Sequence, residues 1–231
     1  EMCNGQGACR KISSGTMCPS YIATRDEEHS TRGRANALRA SISGVLPPSA
    51  LTDKRLREVL DLCLECKGCK SECPTNVDMA KLKYEFLNDY YRRNKRAFRD
   101  IIFGNISQLS RLGSFFAPIS NWCIGSLVAK ELLDELVGID KNRTLPSFAG
   151  QSFVQWYKAR GGSPSTKYTK GQVLLFPDTF TNYNHPNLGK AATTVLEKIG
   201  YQVIIPPTKC CGRPMLSKGM INSAQTNART N

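Results

Sequence analysis

A chain of 231 residues with 40% hydrophobic side chains can bury a core and build one or two domains, which excludes a low-complexity polypeptide. Its formal charge of +13 is basic, but basic and acidic residues interleave, as in Arg25-Asp26-Glu27-Glu28, so a solvated surface is expected rather than a nucleic-acid partner. Ten cysteines would suit a disulfide scaffold only in a short secreted chain, and Glu1-Met2-Cys3-Asn4 has neither the basic start nor the apolar core of a secretory signal, so a reducing, cytoplasmic setting is expected.

In chain order, the first motif is Cys3-Asn4-Gly5-Gln6-Gly7-Ala8-Cys9 followed by Cys18-Pro19, or C-x5-C-x8-C-P. Gly5 and Gly7 do not make a dinucleotide fingerprint, because Arg10 stands in place of the third glycine and no strand pattern precedes them. They suit a close backbone approach to a bound group. His29-Ser30-Thr31-Arg32-Gly33-Arg34-Ala35-Asn36 comes next, and Ala37, Leu38 and Ala40 suggest a helix beginning there. Arg32 and Arg34 carry two readings: holding a cofactor, a carboxylate or a neighbouring domain, or balancing nearby negative charge and capping backbone. His29 reads as a hydrogen-bonded structural residue. Pro47-Pro48-Ser49 breaks the chain, and residues 51–62 predict a helix with Leu56, Val59, Leu60 and Cys63 on its inner face.

The central stretch is Cys63-Leu64-Glu65-Cys66-Lys67-Gly68-Cys69-Lys70-Ser71-Glu72-Cys73-Pro74, which reads C-x2-C-x2-C-x3-C-P. Spacers of two curl the backbone so that three thiolates can wrap one face of a 4Fe-4S cube, and in two-cluster ferredoxins the cysteine before the proline reaches the other cluster. Zinc sites instead pair two separate C-x2-C knuckles, and a disulfide knot does not suit this compartment. The pattern asks for a second cysteine–proline pair, which Cys18-Pro19 supplies. Cys63, Cys66 and Cys69 with Cys18 then complete one cluster. Cys3, Cys9 and Cys73 remain, one ligand short of a second. That second site is three-iron, takes a further ligand, or is empty, in which case Cys63, Cys66, Cys69 and Cys73 serve one cluster together. The longer spacers around Cys3 and Cys9 cost more loop-closure entropy, so one robust 4Fe-4S cluster and a weaker second site are expected. A cluster with four thiolates carries about −2, offsetting part of the basic charge.

Beyond Pro74, Asp78 predicts the cap of a helix reaching about Arg93, with Met79, Leu82, Phe86 and Tyr90 inward. A basic run follows, Arg92, Arg93, Lys95, Arg96 and Arg99, which is a solvated face or meets an anionic membrane surface or an acidic partner. In the apolar stretch 101–129, Ser114, Pro118, Ser120, Asn121 and Gly125 interrupt any spanning helix, so packing helices are expected, with Cys123 a small core residue. Residues 131–137 complete a helix ended by Gly138, and the polar segment 141–170, with Gly161-Gly162-Ser163-Pro164-Ser165, reads as a linker. Then strand 173–176, helix 188–199 and strand 202–205 predict a parallel β-α-β unit. The helix should turn Leu188, Ala191, Ala192, Val195 and Ile199 to one face, and His185 marks its start. Cys210-Cys211-Gly212 stands after the second strand, either as a metal or redox centre or as two small buried residues. The end of the chain, residues 219–231, looks like a helix cut partway, and both ends suggest a piece of a longer polypeptide.

Taken together, Cys3-x5-Cys9 with Met17-Cys18-Pro19-Ser20-Tyr21, the 29–36 stretch, the Cys63 run with Val77-Asp78, and Phe176-Pro177-Asp178-Thr179-Phe180 leading to Cys210-Cys211-Gly212 resemble one family. It is the iron–sulfur half of fused FAD-linked oxidases, similar to D-lactate, glycolate and D-2-hydroxyglutarate dehydrogenases and to the iron–sulfur subunits of glycolate oxidase and anaerobic glycerol-3-phosphate dehydrogenase. The resemblance implies an α+β chain: an α-helical ferredoxin-type domain over 1–140, a linker over 141–170, and the first β-α-β unit of an α/β CCG domain over 171–231. It also implies an electron-transfer module of an oxidoreductase acting on CH-OH groups, not catalytic by itself, with FAD on a separate oxidase domain and a quinone or protein acceptor. A cytoplasmic place, with peripheral contact at the inner membrane face, goes with it. Two departures stand out: the first cysteine run is thinner than in glycolate-oxidase-type subunits, and Asp178 occupies about the place where a cysteine is expected upstream of a CCG motif. The alternative is a heterodisulfide-reductase-like thiol/disulfide module centred on Cys210 and Cys211.

Overall fold

The computed structural model describes residues 3–163 and 170–231, and the chain divides into two compact units, residues 1–96 with 215–221 and residues 97–214 with 222–231. Residues 164–169 of the expected linker lie outside the described residues. The architecture is helical with one small parallel sheet, α+β as the sequence implies.

In the first unit the longer helices start where the sequence offers a cap. Helix α1 (Pro19–Thr24) opens on a proline, which has no N–H to leave unbonded in the first turn. Helix α2 (Thr31–Ile42) begins six residues before Ala37, because the Ser30 Oγ accepts from the Gly33 N–H at 2.9 Å. Helix α3 (Lys54–Asp61) is capped by Asp53, and the residues expected to open it form a separate 3-10 turn, Pro48–Thr52. Helix α4 (Gly68–Glu72) carries Cys69, and helix α5 (Met79–Arg93) is capped by the Asp78 carboxylate, which accepts from the Lys81 N–H at 3.0 Å. Leu38, Leu56, Leu60, Val77, Met79, Phe86, Leu87 and Tyr90 form the core together with Cys9, Cys18 and Cys69, and Cys3, Cys63 and Cys73 pack against it. The inward stripe of α5 differs from the expected one: Lys83 is buried and Leu82 is 36% exposed. Residues 79, 83, 86, 87 and 90 fit one 3.6-residue stripe, and Lys83 is held in it by its hydrogen bonds, described below. Segment 215–221 closes this unit, held by the Arg96 guanidinium, which donates to the carbonyls of Lys218 and Gly219. Gly219 lies so close to α5 that a Cβ would fall 2.7 Å from the Leu87 backbone.

The second unit opens with four short helices, α6 (Phe98–Gly104), α7 (Ile106–Phe115), α8 (Ala117–Gly125) and α9 (Leu127–Val137), the last ended by Gly138 in the left-handed region. They pack on one another as expected, but not through their large apolar side chains. Their buried positions are mainly small or polar, Asp100, Gly104, Ser110, Ser114 and Ala117, and Cys123 is exposed rather than a core residue. Phe115, Ile119, Trp122, Leu127 and Val128 all face outward, because breaks at Asn105, Phe116 and Ser126 leave each helix only a turn or two of inward face. Helix α10 (Phe153–Ala159) falls within the expected linker, opened by a capping box of Ser152 and Gln155, with Phe153 fully buried.

Strand β1 (Gln172–Leu174), helix α11 (Thr179–Tyr183), helix α12 (Pro186–Ile199) and strand β2 (Gln202–Ile204) form the expected β-α-β unit, its strands parallel with Val173 opposite Val203. His185 stands at the start of α12 and Gly200 ends it. The buried face of α12 is Gly189 and Thr193, whereas Leu188, Val195 and Ile199 are exposed. Phe153 explains the inversion: a Cβ on residue 189 would lie 2.6 Å from its ring, so α12 packs through its glycine rather than its large side chains. Helices α13 (Arg213–Ser217) and α14 (Ile221–Thr230) complete the chain.

Candidate metal centre

Four cysteines from two separate stretches of sequence line one cavity of the first unit: Cys18 from the start of α1, Cys63 and Cys66 from the loop between α3 and α4, and Cys69 from α4. This is the set that the cysteine–proline pairing brings together. The loop curls because Glu65 and Lys67, the residues just before and just after Cys66, take positive φ (54° and 61°), a conformation that costs a residue with a Cβ about 1 kcal/mol or more. Buried Lys83 holds the loop: its ammonium donates to the carbonyls of Asp61 (3.1 Å) and Cys63 (2.8 Å) and lies 3.6 Å from Glu65 Oε1. The end of α3 and the first ligand-type cysteine are thus fixed by one cation, which also suits the negative end of a helix. On the other wall, Glu72 accepts from the N–H groups of Thr16 (2.6 Å) and Met17 (3.3 Å), tying the approach to Cys18 onto α4. These bonds hold the Glu72 carboxyl below its ordinary range: the Thr16 hydroxyl and N–H favour the charged form most, against a smaller effect of burial.

The donor chemistry fits an iron–sulfur cluster. Burial raises the Cys63 and Cys69 thiols above their usual pKa, so each would release a proton on binding metal. Burial also works on Cys18, but bonds from Ser20, Thr31 and the Tyr21 N–H, with the Arg34 charge, outweigh it and lower the pKa. Cys66 is exposed and opens the cavity edge to solvent. A cubane takes its thiolates at four separate corners, and among the described residues no three His, Cys, Asp or Glu side chains converge on one point as around a single ion.

Cys3, Cys9 and Cys73 are distributed differently. Cys9 is buried and accepts from the Arg32 N–H at 3.3 Å; burial, with Cys18 and Glu27 nearby, raises its pKa against the bonds from Arg32 and Ser30. Arg32 reaches across this loop, its Nε on Glu27 at 2.7 Å and its Nη1 on the Gly5 carbonyl at 3.0 Å, so its charge faces Cys9 and Cys3. Gly7, at φ 75°, leaves room for that guanidinium, and a Cβ there would meet it at 3.1 Å. Cys73 ends α4, its Sγ 3.4 Å from the Thr75 hydroxyl; burial is outweighed by the Thr75 hydroxyl and the N–H groups of Val77, Thr75 and Asn76, which lower its pKa. Arg34, two residues from Arg32, is fully buried: Nε donates to the Val59 carbonyl at 3.1 Å and Nη1 to Ser20 Oγ at 3.0 Å and Cys18 Sγ at 3.7 Å. His29 has the expected structural role, its Nδ1 2.9 Å from the Thr24 hydroxyl.

In the second unit Cys210 is half-buried and Cys211 exposed. Cys210 borders a broad open cleft of about 1510 Å³, lined by residues that follow β1 (Pro177, Thr179) and β2 (Ile205 to Lys209), where α/β sheets place their sites. Asp178 is occupied as the cap of α11, accepting from Phe180 and Thr181. Sequence reasoning missed Lys83, Glu65 and Glu72; a lone lysine in the apolar stripe of α5 is the one signal that could have flagged them.

Residues 2–78 match the family of 4Fe-4S dicluster domains. The chain is 27% identical to D-2-hydroxyglutarate dehydrogenase of Pseudomonas putida, over 96% of this chain and 26% of that protein. It is 33% identical to one subunit of the anaerobic glycerol-3-phosphate dehydrogenase of Escherichia coli K12, over 61% and 35%. With the probable glycolate oxidase iron-sulfur subunit of Bacillus subtilis it shares 35% identity over 93% and 50%. The chain thus spans about a quarter of the D-2-hydroxyglutarate dehydrogenase and half of the glycolate oxidase subunit. These relatives lend no support to the thiol/disulfide alternative. No solved structure matches.

Proposed function

We propose that this chain, whose residues 2–78 belong to the 4Fe-4S dicluster domain family and which is homologous to iron–sulfur parts of CH-OH dehydrogenases, is the electron-transfer module of an FAD-linked D-2-hydroxyacid dehydrogenase. The observation that carries this is the single cavity lined by Cys18, Cys63, Cys66 and Cys69. These four would hold a 4Fe-4S cluster, whose chemistry is to accept and release single electrons. Cys3, Cys9 and Cys73 would hold the weaker second site. The chain's own residues then do three things: Lys83 and Glu72 fix the two walls, Arg32 ties the Gly5 loop to Glu27 beside Cys3 and Cys9, and the exposed Cys66 edge leaves a short path to a partner. The partners would be an FAD-binding oxidase domain, which takes a hydride from the hydroxy acid, and a quinone or protein acceptor.

No helix among the described residues is long and apolar enough to cross a membrane. Peripheral contact with a membrane surface, the cytoplasmic face on this proposal, is supported by α7, α8 and Phe116 between them, which expose Phe115, Phe116, Ile119 and Trp122 and carry Arg111 as their one charge. Anaerobic reconstitution, iron analysis and electron paramagnetic resonance (EPR) of the reduced protein test the central reading: bound iron and sulfide with a reduced-cluster signal are expected, and zinc without iron would overturn it.

A further inference from the structure

Arg34 is a large side chain sealed completely from solvent, 0% exposed, and that position is costly for a cation. Among the described residues it has no carboxylate partner; its bonds go to the Val59 carbonyl, the Ser20 hydroxyl and the Cys18 sulfur. Its Nη2 is buried without any hydrogen-bond partner. A buried cation is tolerated when an anion pairs it, and a buried donor when an acceptor meets it. The polypeptide around Arg34 supplies neither in full. A four-thiolate cluster supplies both, since it carries negative charge and its sulfurs accept hydrogen bonds.

We propose that Arg34 is a positioning residue that sets the reduction potential of the cluster held by Cys18, Cys63, Cys66 and Cys69, through a charge-assisted N–H···S bond to the Cys18 sulfur. This rests on Cys18 being a ligand. Reduction adds one electron and therefore one negative charge to the cluster and its thiolates. The guanidinium charge of Arg34 stabilises the reduced form more than the oxidised form. The charge of Arg34 reaches Cys63 as well as Cys18, favouring the thiolate at both, so its field covers two corners of the same cavity. Arg32 cannot substitute for it, since that guanidinium is already engaged by Glu27 and the Gly5 carbonyl.

The test is an EPR-monitored redox titration of the reconstituted full chain, comparing wild type, Arg34→Met, Arg34→Lys and Cys18→Ser. At a fixed solution potential, the ratio of reduced to oxidised cluster should fall at least tenfold in R34M, a downward shift of about 59 mV for a one-electron couple. R34K, which keeps charge but loses the planar fork, should fall between. Because R34M removes a buried side chain and could fail to fold, the same bond is also read in the wild type. Protein grown with arginine labelled with 15N in the guanidinium alone should show a nitrogen hyperfine coupling to the reduced cluster. If C18S leaves iron content and spectrum unchanged, Cys18 is not a ligand and the underlying reading fails. If C18S alters the spectrum but R34M and R34K keep the wild-type potential, or the labelled protein shows no coupling, the role given to Arg34 is wrong.

Discussion

Both units carry cysteines in patterns that suggest metal or redox chemistry, and they treat them in opposite ways. In the first unit six cysteines belong to or pack against the core, and the loops that bear them are held by Lys83, Glu72, Arg32 and Arg34. In the second, Cys210 stands at the rim of an open cleft and Cys211 is exposed, the upstream Asp178 is used as a helix cap, and contacts of the loop include the Asn231 side chain on the Lys209 backbone and the packing of Gly212 on Ala224. A cysteine motif is a cofactor site to the extent that the fold holds it with buried charges and hydrogen bonds, and here only the first region is held in that way.

The largest effect that could break this contrast is on iron binding. Cys69→Ser and Cys66→Ser should each remove most of the iron, because each takes one corner of the four-cysteine cavity, whereas Cys3→Ser should leave a substantial 4Fe-4S signal. Iron analysis with EPR of anaerobically prepared protein reads this directly. About eight irons per chain in the wild type, with both clusters lost together in C3S, would show that the two cysteine sets form one unit.

Next in size is the loop support. Lys83→Met keeps the length of the side chain but takes the donor from the carbonyls of Asp61 and Cys63 and the cation from beside Glu65. The loss should be about 1–3 kcal/mol of stability, with faster release of iron to a chelator. Thermal denaturation and chelator-challenge kinetics measure the two parts; a variant with wild-type stability and release would show that the loop needs no such anchor.

Much of this first region was legible in the sequence. Cysteine spacing names its chemistry, and Asp78 marks the start of α5, whereas α2 and α3, capped by Ser30 and Asp53, start several residues from where the apolar pattern put them. Less legible was which polar residues turn inward. Arg32 and Arg34 are the same residue type two positions apart on α2, about 200° around the helix, so one reaches the exposed Gly5 loop and the other is sealed in the core. In α12 the periodicity located the helix but not its inward face, since close approach of Gly189 to the Phe153 ring puts small residues inside and leaves large ones outside. Hydrophobic patterning assumes that large apolar residues face inward, and close helix packing through glycine reverses it.

A smaller effect concerns pH. The folded Glu72 carboxyl has a depressed pKa, so its contribution is present above the ordinary carboxylate pKa and is lost as pH falls through the depressed value. Glu72→Gln should therefore lower the thermal midpoint at neutral pH, and the two proteins should converge as the medium is acidified below the ordinary carboxylate range. A difference that stays constant with pH would assign the effect of Glu72 to shape rather than charge.

The smallest expected effect is at the other cysteine pair, and it tests the contrast from the opposite side. Among the described residues, Cys210 and Cys211 lack the buried cation, the paired walls and the gathered thiols found around Cys18 and Cys63, so the double variant Cys210→Ala and Cys211→Ala should keep the iron content and the EPR spectrum of the wild type. Stability should change by less than about 1 kcal/mol, since one side chain is exposed and the other half-buried, and neither fills the packed core. Any change should appear only in electron delivery to an acceptor, as a slower rate with the cluster spectrum intact. Loss of iron from the double variant would mean that this pair contributes ligands after all, and that an open, lightly held cysteine motif can serve where a built one was expected.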